Sequence, residues 1–129
     1  MSGLSATPNS YPYPNEPVWS RSERAIARKV FDAALNRELH QIVRETKQRA
    51  NRIKELADVW ELEHYLTRRR KDIDSRYEFR SSRLTRTLGM LLCEQRITEE
   101  ELKAFREDKR LAIRSCSKAL SEAATGMGF

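Results

Sequence analysis

The sequence predicts an all-α protein, and three observations carry that expectation. Charged residues fill 34% of the 129 positions and apolar ones 39%, with only four Gly and four Pro. So charged and Gly-poor a chain suits long solvated helices better than a compact sheet. All four prolines fall within residues 1–18, and beyond them apolar residues recur every three or four positions, with no alternating run that would mark a strand. Solvated helices bury little surface in a monomer of this length, which favours self-association. The expected architecture is an elongated, homodimeric bundle of long helices with a small C-terminal helical head.

Each element follows from local chemistry. Residues 1–18, "MSGLSATPNSYPYPNEPV", show no helical period and read as a disordered N-terminal tail. Ser20 followed by Glu23 is a capping box, with Trp19 placed to act as a hydrophobic staple. From there to about Leu56 there is neither Pro nor Gly, and Phe31, Leu35, Leu39, Ile42, Thr46, Arg49, Ile53 and Leu56 share one face. That spacing predicts one amphipathic helix of about 36 residues, roughly 54 Å long.

A second long helix is expected over about 58–95, through Leu62, Leu66, Arg69, Ile73, Tyr77, Arg80, Leu84, Leu88 and Leu91, loosened near its end by Gly89. Arg69 and Arg80 interrupt that stripe; such side chains snorkel, pair with acids or face a partner. Thr98 and Glu101 cap a last helix whose apolar side holds Leu102, Phe105, Leu111, Ile113 and Leu120. The helical domain thus spans 19–122, and residues 123–129 are expected to fray.

The net charge is +6 and the sequence pI about 9.6. Residues 68–86 hold eight cations against three acids, a local excess suited to an acidic partner surface or to phosphates. Cys93 and Cys116 sit in a chain without a signal-type apolar segment or a membrane-length run. They are expected to be free thiols of a soluble, cytoplasmic protein, with a Cys93–Cys116 disulfide as the alternative.

The densest chemistry lies in "DVWELEHYLTRRRKDID". Glu61 and His64 have the E-x-x-H spacing of carboxylate-bridged metal sites, but those need a second such pair and further glutamates. The only other histidine is His40, with Glu38 at the wrong spacing. No metal and no cofactor is expected. Nor does the chain contain a nucleophile elbow, P-loop or Gly-rich cradle, so no enzymatic activity is expected.

The run Arg68, Arg69, Arg70 and Lys71 spans about one helical turn and points around the cylinder. It fits a solvated turn in i,i+4 pairs or a nucleic-acid contact, although Asp72 and Asp74 break up a single-sign face. Trp60 and Tyr65 fit a plug between helices, or, with the arginines, a protein-binding hot spot.

Over residues 19 to about 118 the chain resembles the fluorescence recovery protein family of cyanobacteria, as a divergent member. The resemblance is carried by "VWSRSE", by "NREL", by "EELKAF" and above all by "DVWELEHYLTRRRKDIDSRYEFRSS". Within that block Asp58, Trp60, Leu62, Leu66, Arg69, Arg70, Ile73, Asp74, Tyr77 and Arg80 match or nearly match the family pattern. The resemblance implies a non-enzymatic helical homodimer. It also implies binding to the C-terminal domain of photoactivated orange carotenoid protein and acceleration of that protein's return to rest, ending phycobilisome quenching.

The implied protein-binding residues are Trp60, Glu63, His64, Arg70, Arg86 and Lys109, and the implied dimer seam is Leu35, Leu39, Ile42, Val43 and Ile53. Glu63 and His64 stand where the family has His-Asp, so acid and base exchange order. Arg86 occupies an aromatic family position, and Ala112 replaces a contact lysine. The other partner class compatible with the residues is a different protein or a nucleic acid bound by a basic helical dimer.

Overall fold

The structure is a computed structural model that describes residues 17–127. Most of the predicted N-terminal tail (residues 1–16) and the last two residues lie outside the described residues. Five α-helices follow in order: α1 Arg21–Asn51, α2 Leu56–Arg76, α3 Leu84–Cys93, α4 Glu99–Leu102 and α5 Glu107–Met127. A 3-10 turn, Ser81–Arg83, precedes α3. Among the described residues there is no strand.

Helix α1 starts at the predicted capping box. Ser20 Oγ accepts from the Glu23 backbone N–H at 3.1 Å, and Glu23 Oε1 accepts from the Ser20 N–H at 2.9 Å. Trp19 reaches beyond the first turn of α1. Its ring meets Phe105 edge-on at 5.8 Å, which ties the start of α1 to the far end of the chain.

The helix ends at Asn51, earlier than the sequence pattern predicts, in a tight turn at 52–55. Asp58 Oδ2 closes this turn by accepting from the Lys54 and Glu55 N–H groups at 2.9 and 3.2 Å. α2 then runs back along α1, so that Tyr65 meets Glu45, and Arg69 and Arg76 meet Glu38.

The second long helix predicted over 58–95 is broken at 77–80. Tyr77 and Phe79 both pack edge-on against Phe31, at 5.5 and 5.1 Å. Residues two apart point to nearly opposite sides of a helix but to the same side of extended chain. Both rings reach Phe31 only because the backbone straightens, and Arg80 is extended at φ −128°, ψ 126°. Tertiary packing overrides helix propensity here.

The remaining elements form the head. Leu84, Leu88 and Leu91 of α3 pack with Ile97, Leu102, Phe105 and Ile113, and with Trp19, Ala27, Val30, Phe31 and Ala34 from the start of α1. Each fully buried leucine contributes about 1.5–3 kcal/mol. The last predicted helix is two helices: Thr98 and Glu101 cap α4 as expected, and the chain turns after Leu102 so that Phe105 enters the core. α5 continues to Met127, through most of the segment where the pattern predicts fraying.

Gly89 sets how closely α3 and α5 approach. A Cβ there would lie 2.8 Å from both Cβ and Sγ of Cys116 and 3.2 Å from the Ser117 backbone nitrogen. Two of those obstacles are backbone or attached to it, so neither moves without the helix. Gly89→Val is expected to destabilise the fold by about 2–3 kcal/mol through overpacking, read as a lowered urea midpoint.

Candidate functional site

The 21 residues of α2 present three faces to different surroundings. Tyr65, Arg69, Asp72 and Arg76 share the side turned to α1, since 65, 69, 72 and 76 follow the helical repeat. Leu62, Leu66, Arg70 and Ile73 share the adjoining side. Trp60, His64 and Thr67 point away from the hairpin.

The inward side is polar and closes around one carboxylate. Glu38 of α1 is fully buried in its side chain. Its Oε2 accepts from Arg69 Nη2 at 2.9 Å and Arg76 Nη1 at 2.8 Å. Its Oε1 accepts from the Tyr77 hydroxyl at 2.7 Å and lies 3.6 Å from Arg96 Nε. Arg69 also pairs with Asp72, and Arg76 with Glu94. Burial and the neighbouring Glu38 carboxylate push the Tyr77 hydroxyl well above the usual tyrosine range, so it stays a donor. One turn further along, the Tyr65 hydroxyl donates to Glu45, with the Arg49 guanidinium 4.1 Å over the Tyr65 ring. The Tyr65 hydroxyl and then the Gln41 amide hold the Glu45 carboxyl below the usual range.

The adjoining side is apolar and open. Leu39 and Val43 of α1 are 42% and 50% exposed, beside half-buried Ile42. Leu39, Ile42, Leu66 and Ile73 line a shallow groove rimmed by Arg69, Arg70 and Asp74. Trp60 is 55% exposed, an unusual state for the largest apolar side chain. Leu56 and Val59 continue that exposed apolar surface towards the hairpin turn.

The sequence-predicted residues divide between two places. Trp60, Glu63, His64 and Arg70 are exposed on α2, with Glu63 accepting from Thr67 Oγ1 at 3.1 Å. Leu39 and Ile42 of α1 share the groove with Arg70 alone of these; Val43 is exposed and Leu35 half-buried on the same helix, and Ile53 is half-buried in the hairpin turn. Arg86 and Lys109 belong to the head instead. Arg86 is half-buried on α3.

Lys109 is only 4% exposed: its Nζ lies 3.2 Å from Glu23 and 3.0 Å from Asp108, and 5.5 Å from the Trp19 ring centroid. Its charge is neutralised inside the head, where it clamps α5 to the start of α1. The cation run also divides, because Arg69 turns inward to Glu38 while Arg68, Arg70 and Lys71 face solvent.

Glu38, Arg76 and Arg96 escaped the sequence reading. The available signal was a carboxylate on the same helical row as Ala27, Phe31 and Ala34, a position that only a paired acid occupies. Among the described residues, no group of three His, Cys, Asp or Glu side chains could hold a metal ion. No described helix is long and apolar enough to cross a membrane. What the surface offers is an aromatic anchor, an arginine and an open apolar groove on one rigid hairpin, the elements of a protein-docking face.

Comparison with known proteins points the same way. The family model described as photoprotection regulator fluorescence recovery protein matches residues 19–117. The fluorescence recovery protein of Synechocystis sp. is 30% identical over 103 residues, covering 80% of this chain and 94% of that protein. The solved fluorescence recovery protein of Fremyella diplosiphon superimposes with a TM-score of 0.74 at 31% identity, covering 78% of this chain and 99% of that one. The Synechocystis structure gives 0.73 at 30% identity, with the same coverage.

Proposed function

This chain belongs to the fluorescence recovery protein family, and from that premise we propose that it is a non-enzymatic regulator acting by protein binding in the cytoplasm. Its proposed partner is the C-terminal domain of photoactivated orange carotenoid protein, whose return to the resting state it accelerates. A binder speeds such a relaxation when it holds the intermediate conformation more tightly than the activated one. The observation that carries this reading is the family match over residues 19–117, joined to a half-exposed Trp60 that its own chain leaves uncovered. Exposed aromatic anchors beside arginine are the residues that dominate binding energy at protein interfaces.

The proposed active form is a homodimer closed through Leu39, Ile42 and Val43 of α1 with Leu66 and Ile73 of α2. In the proposed docking surface Arg70 borders that seam, and Trp60, Glu63 and His64 stand exposed elsewhere on α2. The buried Lys109 supports the surface from a distance, by fixing the head. Arg69, the cation that would complete a basic patch, is engaged by Glu38, which weighs against nucleic acid as the partner.

The test is the dark recovery rate of photoactivated carotenoid protein with and without this chain, alongside co-elution of the two. Acceleration is expected. Trp60→Ala should weaken the association about thirtyfold, or roughly 2 kcal/mol, the loss typical of a central aromatic. An unchanged recovery rate together with separate elution would refute the reading.

A further inference from the structure

The apolar core stops short of the far end of the hairpin. It takes Trp19, Ala27, Val30, Phe31 and Ala34 from the start of α1, and Tyr77 and Phe79 pack against its edge. Among the described residues, none between 35 and 76 belongs to it. The root of the hairpin is closed by the Glu38 cluster instead, through Arg69, Arg76 and Tyr77. The outer half, residues 42–67, has neither that core nor those pairs. Val43, Leu56, Val59, Trp60 and Leu66 are exposed there. Among the described residues of this outer half, Tyr65 alone is buried, at 4%.

Tyr65 is also the residue that crosses between the helices. Its hydroxyl donates to Glu45 Oε1 of α1. The other oxygen of Glu45 accepts from Gln41 Nε2 at 3.0 Å, which fixes the acceptor. The Arg49 guanidinium lies 4.1 Å over the Tyr65 ring and covers it from the α1 side. The bonds from the Lys54 and Glu55 N–H groups to Asp58 hold the turn itself, not the two helices against each other. Among the described residues, Tyr65 on Glu45 is the one hydrogen bond that joins α1 to α2 within the outer half.

A segment with few buried apolar contacts opens at less cost than the whole fold. Isolated helices shorter than about 12–15 residues are marginal in water. The first three turns of α2 therefore depend on being held against α1. Those turns carry Trp60, Glu63 and His64, all exposed, while Tyr65 lies buried behind them.

We propose that Tyr65 is a positioning residue: by clasping Glu45 it keeps the outer half of the hairpin closed and so presents Trp60, Glu63 and His64 to a protein partner as one preformed face. This rests on the reading of α2 as the docking face. A preformed face binds without an ordering cost, whereas a face that must first assemble loses that part of its affinity. Tyr65 acts through the others, since its own side chain is covered.

The test joins hydrogen exchange on the full chain to calorimetric binding of the C-terminal domain of orange carotenoid protein. In the parent chain, amides of residues 56–67 should exchange through an opening less costly than the one that exposes α3. Tyr65→Phe, which keeps the ring and loses the hydroxyl, should quicken exchange over 56–67 about tenfold. Ile113→Val in the head core should quicken α3 about fivefold and leave 56–67 unchanged. Tyr65→Ala should weaken the carotenoid-protein domain about tenfold with every docking residue intact, and make the heat capacity of binding more negative as the face orders on contact. Tyr65→Phe should stay within about twofold of the parent affinity, because the ring still packs under Arg49. Equal protection of 56–67 and α3, Ile113→Val quickening both alike, or parent-like binding by Tyr65→Ala would each overturn the proposal. A parent chain that does not bind the domain would refute the partner, and the exchange results would then decide the clasp by themselves.

Discussion

Glu38→Ala is expected to destabilise the fold by about 3–5 kcal/mol, the cost of leaving buried charges uncompensated. The reason is the asymmetry of the cluster. One fully buried carboxylate is shared by Arg69 and Arg76 and approached by Arg96, whose side chains are 12%, 14% and 26% exposed. Removing it leaves three nearby guanidiniums to repel one another in a site with little water. It also takes the nearer acceptor from the Tyr77 hydroxyl, which fixes the extended segment between α2 and the head and keeps only the Ala34 carbonyl at 3.4 Å. Asp72 and Glu94 still neutralise part of Arg69 and Arg76, which keeps the cost within the range for a single broken pair.

Graded substitutions separate charge from hydrogen bonding. Tyr77→Phe should cost only about 1–1.5 kcal/mol, a net hydrogen bond, whereas Glu38→Gln, which keeps the shape and one acceptor, should fall between the two. The measurement is urea unfolding followed by far-UV circular dichroism. A Glu38→Ala cost below about 1 kcal/mol would show that the arginines reach solvent without it.

This cluster also explains what the sequence could and could not disclose. The two capping boxes, Ser20 with Glu23 and Thr98 with Glu101, were legible because each is a local bargain between residues three apart. The break at 77–80 was not, because Phe31 on another helix dictates it. Trp19 offered a local use as a staple and has a distant one against Phe105. Lys109 was named among the protein-binding residues that the resemblance implies, and only the fold brings Glu23 within 3.2 Å of it. The run of cations gave no hint that Arg69 alone would turn inward, since its acid lies a helix away at Glu38. Periodicity marks the buried row on which Glu38 lies, but it does not say which cations of another helix reach that acid. The exposed apolar stripe was legible for the opposite reason: Leu39, Ile42 and Val43 keep the helical period whether their own chain or another covers them.

Val43→Glu tests what does cover them, and it is expected to yield monomers with unchanged helicity. Val43 is half-exposed in the protomer, and glutamate is a better helix former than valine, so folding of the single chain should not suffer. The proposed seam is another matter. In a two-fold interface the same patch meets itself, so one substitution places two carboxylates in the buried region. An ionised group taken from water without a partner costs several kcal/mol. With two such groups, a loss of about 4 kcal/mol, or roughly a thousandfold in dissociation constant, is a conservative expectation.

Leu111→Glu provides the control, because Leu111 is just as exposed, at 54%, but sits on α5. It should leave the mass by light scattering unchanged. A Val43→Glu chain that still runs at twice the protomer mass would move the seam elsewhere on the hairpin. A parent chain that is monomeric at micromolar concentration would mean that the groove beside Leu39 and Leu66 awaits a different partner.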